Sequence, residues 1–305
     1  MTPVAISILN FNGDTETDAL LESIDSLFLG NIALTVYVLD NGSKAAYVQK
    51  KQYQHFVLVL LREQRNLGFS GGHNKVIHRA MQDGSDYIMV LNNDTILAED
   101  LLRVLLKTAK DTERVGMVVP KIYFGAGSEY HKERYKREEL GKVIWYAGGL
   151  IDWKNVLASH RGVDEVDRGQ YDKTVETDFA TGCCMLLSSG VIKRLGLFDE
   201  RYFLYFEDSD LSERVKRSGL RIVYEPRAVL WHANAASTGG SGSSLQDYYI
   251  SRNRMLFGFS YAPLRSKIAL FRESLGLLQH GRPMQKRGIM DFYLRRFGKG
   301  KIDHV

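Results

Sequence analysis

"YIMVLNNDT", residues 87–95, climbs through an apolar run to Leu91 and then breaks into two amides, a carboxylate and a hydroxyl. Strand-forming residues bounded by turn formers predict a buried strand that ends near Asn92. Two explanations of the polar end stand: a turn leading into the helix predicted over 98–110 ("AEDLLRVLLKTAK"), or a cation site at the mouth of a sheet. Upstream, the same strand-then-helix rhythm recurs. "VAISIL" (4–9), "LTVYVLD" (34–40) and "FVLVLL" (56–61) read as strands, and helices are predicted over 15–28, around 44–54 and from about 72 to 82. Four such units in series predict an α/β fold with a mostly parallel sheet flanked by helices. In such sheets ligands gather beyond the carboxyl ends of the strands. The polar clusters sit at those ends: Asn10 and Asn12, Asp40, Asn66, then Asn92, Asn93 and Asp94. One polar residue at a strand end is a turn former, but four clusters on one rim favour a shared ligand site.

Downstream the pattern changes. Residues 125–142 are polar and charged and read as a solvated loop or short exposed helix. Residues 175–189 read as two strands joined at a glycine, 191–219 as helix, loop and helix, and "LRIVYEP" and "AVLWH" as strands. "FEDSDL" (206–211) gathers Glu207, Asp208 and Asp210. Acids at a helix start suit the dipole. Apolar walls, here the preceding "YFLYF", disfavour the charged form of a carboxylate and make it a better base. His232 follows an apolar strand; together with Asp94 it offers carboxylate plus imidazole, a pair that suits Mn2+ and accepts Mg2+ when phosphates complete the shell. "NLGFSGGHN" is neither GxGxxG nor a P-loop, so dinucleotide dehydrogenases and P-loop enzymes are disfavoured. Gly68, Gly71 and Gly72 would instead allow close backbone approach to a ligand at a helix N-terminus.

The chain has 305 residues, 44% hydrophobic and 25% charged, with a net charge of +5. That suits one globular domain, or one with an appendage. No run reaches a membrane span, the N-terminus has no basic leader, and the two cysteines, Cys183 and Cys184, are adjacent; the expectation is a reducing cytoplasm. Residues 252–305 carry twelve Lys/Arg against three Asp/Glu, so the body is mildly acidic and the tail basic. Within the tail, Leu264, Ile268, Phe271, Leu275 and Leu278 form one helical stripe with Arg265, Lys267 and Arg272 off it. Packing on the body and docking on an anionic membrane surface are two readings of that stripe. Nucleic-acid binding is disfavoured, because no recognised motif or interleaved aromatics accompany the charge.

These parts suggest transfer from a diphosphate-activated donor, with a carboxylate removing a proton from an acceptor hydroxyl. The matching stretches "SILNFNG", "VLDNGS", "RNLGFSGGHN", "VLNNDT", the long run from Asp178 to Gly219 and "YYISRNRMLF" resemble family 2 glycosyltransferases, most closely the bacterial rhamnosyltransferase-type branch, from Val4 to about Phe257. The resemblance implies a GT-A fold and an inverting, metal-dependent transfer from a nucleotide-diphospho sugar, dTDP-rhamnose being favoured, to a glycan or lipid-linked glycan. It implies a catalytic domain over 1–244 (nucleotide part about 1–124, acceptor and base part about 143–244) and a helical basic C-terminal extension over 245–305. Asp40, Asn10, Asn12, Asn66, Gly68, Gly71, Gly72, Asn92 and Asn93 would line the nucleotide pocket. Asp94 and His232 would hold Mg2+ or Mn2+, Asp208 with Glu207 would form the base motif, and Gly182 and Asp210 would belong to the acceptor side. The metal motif departs from the family pattern: Asn92 stands where its first acid is expected. A cytoplasmic enzyme, peripheral at the inner face of the cell membrane, is the expected setting. Two competing readings are a nucleotidyltransferase and a sugar-nucleotide-binding scaffold without turnover. The first would place a basic glycine-rich loop after the first strand, where "NFNGDTETD" is acidic.

Overall fold

The computed structural model describes residues 1–233 and 243–300. Its strands are β1 (Thr2–Asn10), β2 (Ile32–Asn41), β3 (Val57–Glu63), β4 (Tyr87–Asn92), β5 (Thr95–Leu97) and β6 (Val115–Phe124). They continue as β7 (Ile144–Tyr146), β8 (Gly149–Asp152), β9 (Leu157–His160), β10 (Val175–Glu176), β11 (Cys184–Ser188) and β12 (Arg221–His232). The helices are α1 (Asp14–Asp25), α2 (Gly68–Gln82), α3 (Leu101–Asp111), α4 (Ser189–Leu195), α5 (Glu207–Arg217), α6 (Ser244–Tyr261), α7 (Leu264–His280) and α8 (Pro283–Tyr293).

The main sheet runs β10-β12-β6-β11-β4-β1-β2-β3. The pairs of β1 with β2 and β4, of β2 with β3, and of β12 with β6 are parallel. β11 is antiparallel to both β4 and β6 and fills the gap between them. The mostly parallel α/β sheet expected from the strand-helix rhythm is therefore present, with one reversed strand at its centre. β1 and β4 are buried almost end to end, as strands covered on both faces must be.

Two expectations about elements need correction. Residues 44–54 form no helix, although Lys, Ala and Gln favour one. The segment is pinned over the acidic side of α1: the Tyr47 hydroxyl donates to Asp18 at 2.7 Å, and the backbone N–H groups of Gln54 and His55 donate to Asp25. Ion pairs Lys50–Asp18 and Lys51–Glu22 complete the attachment. Tertiary contacts outweigh a weak local preference. "LRIVYEP" and "AVLWH" are one strand, β12, with a register shift between Glu225 and Val229.

The segment expected as an extension, 245–305, is described as far as residue 300. Its first helix, α6, is built into the body rather than appended. Tyr248, Tyr249, Arg252, Asn253, Met255 and Phe257 are all buried. The remaining two helices pack on α6, α8 more extensively than α7.

Candidate active site

Strand register brings the polar ends to one rim. Asn10 lies opposite Asp40, Leu9 opposite Asn92, and His232 opposite Thr95. From there the turn 92–95 carries Asp94 to the last residue of β12. The Asp94 carbonyl accepts from Ala233 N–H at 2.8 Å, and His232 Nε2 lies 3.1 Å from Asp94 Oδ1. Both side chains are largely buried. Trp145 of β7 stands edge-on to the His232 ring, centroids 4.7 Å apart, and against His160 at 4.3 Å.

Asp208, in the first turn of α5, reaches the same place through a short strap. Its Oδ2 accepts from Gly182 N–H at 3.0 Å, and the next residue, Cys183, accepts from Asn92 N–H at 2.9 Å. Asp208 is thus linked through residues 182, 183 and 92 to the turn that carries Asp94, which in turn meets His232. A Cβ on Gly182 would lie 2.8 Å from the Phe69 ring, so only glycine fits beneath the carboxylate. Burial pushes the Asp208 carboxyl above its ordinary range, against the hydrogen bonds from Gly182 and Ser209 that favour its charged form. Its Oδ1 accepts from Ser209 N–H at 2.6 Å. Burial, and secondly the charge of Asp208, push the Glu207 carboxyl well up; its Oε2 has no hydrogen-bond partner among the described residues. Burial and then the Asp94 charge likewise raise the Cys183 thiol.

Several expected ligand contacts are occupied by the protein itself. Asp210 points away from Asp208, as two residues on a helix must, roughly 200° apart. It accepts from Tyr261 (2.7 Å) and Tyr202 (3.3 Å) and pairs with Arg214 at 2.9 Å, which makes it a packing residue rather than part of the acceptor side. Asn10 folds the start of α1, accepting from Gly13 N–H and Thr17 and donating to Asp14. Asn93 donates to Thr17 and to the Gly13 carbonyl. The N-terminus of α2 is also closed: Leu67 N–H donates to Asn41, Gly68 N–H to Asn66 and Phe69 N–H to the Phe203 carbonyl. Gly68 has φ 75° and lies against Phe203, where a Cβ would come within 2.5 Å. The close approach that its sequence context predicts is thus to protein. Gly71 and Gly72 are buried in the same turn, a Cβ on Gly72 meeting Leu9 at 2.8 Å. Asn12 remains exposed at the rim with φ 55°, its Oδ1 accepting from Lys44 N–H. Asp40 is buried and accepts from the N–H groups of Ser43 and Tyr47, both at 2.9 Å; this uses two of the roughly four lone-pair directions of a carboxylate.

Sequence reasoning missed Asn41, Trp145 and His160. Asn41 bridges β2 to the glycine loop but hides in an ordinary Asp-Asn-Gly turn. Trp145 and His160 lie in short strands for which no periodic signal was available.

Asp94 and His232 fit a small divalent cation in one respect and limit it in another. The pair joins a hard oxygen to a nitrogen donor, with Nε2 facing Asp94; the buried Nδ1 without a hydrogen-bond partner among the described residues is the other ring nitrogen. No group of three or more His, Cys, Asp or Glu side chains able to hold a metal occurs among the described residues, so substrate oxygens would have to complete the shell.

The comparisons agree with this architecture. The N-acetylglucosaminyl-diphospho-decaprenol L-rhamnosyltransferase of Mycobacterium tuberculosis is 27% identical over 276 residues, covering 83% of this chain and 86% of that protein. The crystal structure of GalNAc-T7 with UDP, GalNAc and Mn2+ superposes with a TM-score of 0.60 at 15% identity, covering 89% of this chain and 54% of GalNAc-T7. The mannosyltransferase PcManGT from Pyrobaculum calidifontis, in complex with GDP-Man and Mn2+, gives a TM-score of 0.53 at 13% identity over 98% of this chain and 76% of that one. Both share the GT-A-like sheet and its flanking helices. The model of the glycosyltransferase-like family 2 matches residues 3–258, and the chain belongs to that family: it is a glycosyltransferase.

Proposed function

We propose that the protein transfers a sugar, rhamnose being favoured, from a dTDP-linked donor to a hydroxyl of a lipid-linked glycan, with inversion at the anomeric carbon. The observation that supports this is the strap from Asp208 through Gly182 and Cys183 to Asn92, which ties a carboxyl of raised proton affinity to the turn carrying Asp94, itself paired with His232. The M. tuberculosis relative, whose name specifies an L-rhamnosyl group and a diphospho-decaprenol acceptor, supports the choice of sugar and acceptor. A lipid-linked acceptor and a nucleotide donor meet most simply at the cytoplasmic face of a membrane.

Each side chain then has a defined task. Asp208 accepts the proton of the acceptor hydroxyl as its oxygen attacks; the N–H groups of Gly182 and Ser209 hold the carboxylate in place. Gly182 forms a floor near the acceptor, the Phe69 ring occupying the space a side chain there would fill. Asp40 and Asn12, at the ends of β2 and β1, hold the nucleotide. Asp94 and His232 would hold Mg2+ or Mn2+, as the Mn2+-bound neighbours suggest, and the cation when bound neutralises charge on the departing diphosphate. With Asn92 in place of an acid, Asp94 is the main anionic ligand.

Asp208→Asn should lower turnover by about 10²–10⁴-fold, the usual worth of a general base, with donor affinity nearly unchanged. Near-native turnover in that variant would overturn the assignment. Asp94→Ala should weaken donor binding in the presence of Mn2+ and make it insensitive to EDTA. Full activity of the unmodified protein in excess EDTA would remove the cation from the reaction.

A further inference from the structure

Helix α7 sits the wrong way round for a helix that merely covers a core. The residues it buries are Ser266, Leu270 and Ser274, with Leu277 packed on the core beside them. Its large apolar residues face outward: Leu264 is 73% exposed, Ile268 45%, Phe271 44% and Leu275 49%. At 100° per residue these four fall within about 60° of one another, with Ser266 opposite their midline and Ser274 about 90° from it. A helix that hides two hydroxyls and shows four large apolar groups is built to meet a second apolar phase.

The charges define which phase. Arg265 and Arg272 flank the stripe on one side and Lys267 on the other, and none of the three is in an ion pair among the described residues. The single acid of α7, Glu273, is turned toward the body, where Arg254 holds it at 2.7 and 2.8 Å. The outward face is thus an apolar stripe bordered by cations and free of carboxylates. Long basic side chains beside such a stripe can extend to headgroup phosphates while the stripe enters the acyl boundary. No helix among the described residues is long and apolar enough to cross a membrane, so the contact is of the surface kind.

We propose that α7 is an interfacial platform that lays its Leu264–Ile268–Phe271–Leu275 face on an anionic lipid bilayer, with Arg265, Lys267 and Arg272 engaging the headgroups. The proposal stands on the geometry of α7 and does not require the sugar or acceptor assigned above.

The test is flotation of the full chain with vesicles of phosphatidylcholine alone or with about one third phosphatidylglycerol, without nucleotide or acceptor, so that failure here leaves the transferase reading untouched. The expected result is binding to the anionic vesicles that weakens at least tenfold in 0.5 M salt, since each basic residue near such a surface adds about 1 kcal/mol, or fivefold, and is screened. Ile268→Ser with Phe271→Ser should abolish binding. Arg265→Gln, Lys267→Gln and Arg272→Gln together should weaken it by about 10²-fold. All these positions are exposed or at the helix surface, and thermal melting checks that the variants fold. Absent binding to anionic vesicles, or equal binding to neutral ones, would overturn the proposal. So would a wild-type dimer in sedimentation that turns monomeric in the Ile268/Phe271 variant, because the stripe would then be covered by a second copy.

Discussion

Glu207 and Asp208 are neighbours, yet the fold gives them different surroundings. Asp208 is met by the N–H groups of Gly182 and Ser209 and by the Ser209 hydroxyl. Glu207 is buried with one carboxyl oxygen unpartnered among the described residues, and burial together with the adjacent charge pushes it well up. It therefore keeps its proton at pH values where an unfolded glutamate, with a pKa of about 4.3, has lost it. A raised native pKa contributes stability that is complete below the unfolded value and is lost as pH rises through the folded one. Glu207→Gln removes that loss, so its urea midpoint relative to wild type should shift in its favour steadily from pH 5 to pH 8. A difference that does not change with pH would mean that Glu207 is ionised in the native state. At this scale the sequence is an uneven guide. The apolar run before Glu207 correctly announced a desolvated carboxylate. It could not separate Asp208 from Asp210, because which acid meets the Gly182 N–H depends on the rotation of α5, fixed by Tyr202, Tyr261 and Arg214.

The element that aims Asp208 is the loop leading into α5, and it is held under strain. Phe203, Tyr205 and Phe206 have φ of 65°, 69° and 73°, a region that costs such residues about 1–3 kcal/mol each. The restraint comes from α6. Asn253 Nδ2 donates to the carbonyls of Tyr202, Leu204 and Tyr205, at 2.8 to 2.9 Å. Arg252, fully buried, donates to the carbonyls of Tyr202 at 2.9 Å and Gly298 at 2.7 Å and lies over the rings of Tyr248 and Tyr249. Asn253→Ala removes the Asn253 donor from the Leu204 and Tyr205 carbonyls, Tyr202 keeping that of Arg252, and releases the strained loop. The expected cost is about 2–4 kcal/mol of folding stability. Turnover should fall further than donor affinity, because the loop positions the base and not the nucleotide. Urea melts, donor titration and turnover on one preparation check this; unchanged turnover would show that the loop holds its shape without the clamp. None of this was readable beforehand. "SRNR" looks like a basic helix surface, and only the packing of α6 against residues 201–206 turns Arg252 and Asn253 inward. The missing helix over 44–54 is the reverse case, a readable local preference defeated by the acids of α1.

Across the whole molecule, the parallel half was legible because β1, β2, β3 and β4 are each an apolar run closed by a turn, and each is followed by the chain that covers it. In the other half β11 and β12 fall in segments read as strands, but β6 was missed; it carries Pro120, which argues against a central strand. In the sheet, Pro120 lies opposite Glu225, at the point where the register with β12 shifts, so its missing N–H coincides with a break in the ladder. Joining the halves buries His73, which lies under the sheet with Nδ1 2.7 Å from Ser7 Oγ and its ring against Phe69. Burial pushes this imidazole down to about 3. His160 moves the same way, to about 4, chiefly through burial. An unfolded histidine titrates near 6.5, so a depressed native pKa contributes stability that is complete above that value and is lost as pH falls toward the folded one. For His73 the loss is about 1.4 kcal/mol per pH unit, roughly 2 kcal/mol between pH 6.5 and 5. This trend opposes that of Glu207 where the two windows overlap, so wild-type stability alone cannot separate them and single variants can. In His73→Gln the fall in unfolding free energy from pH 7 to pH 5, read from urea melts, should be smaller than in wild type by that amount, even though the variant is less stable throughout for want of its ring contacts. Equal falls in the two proteins would mean that His73 takes up its proton without unfolding the sheet above it.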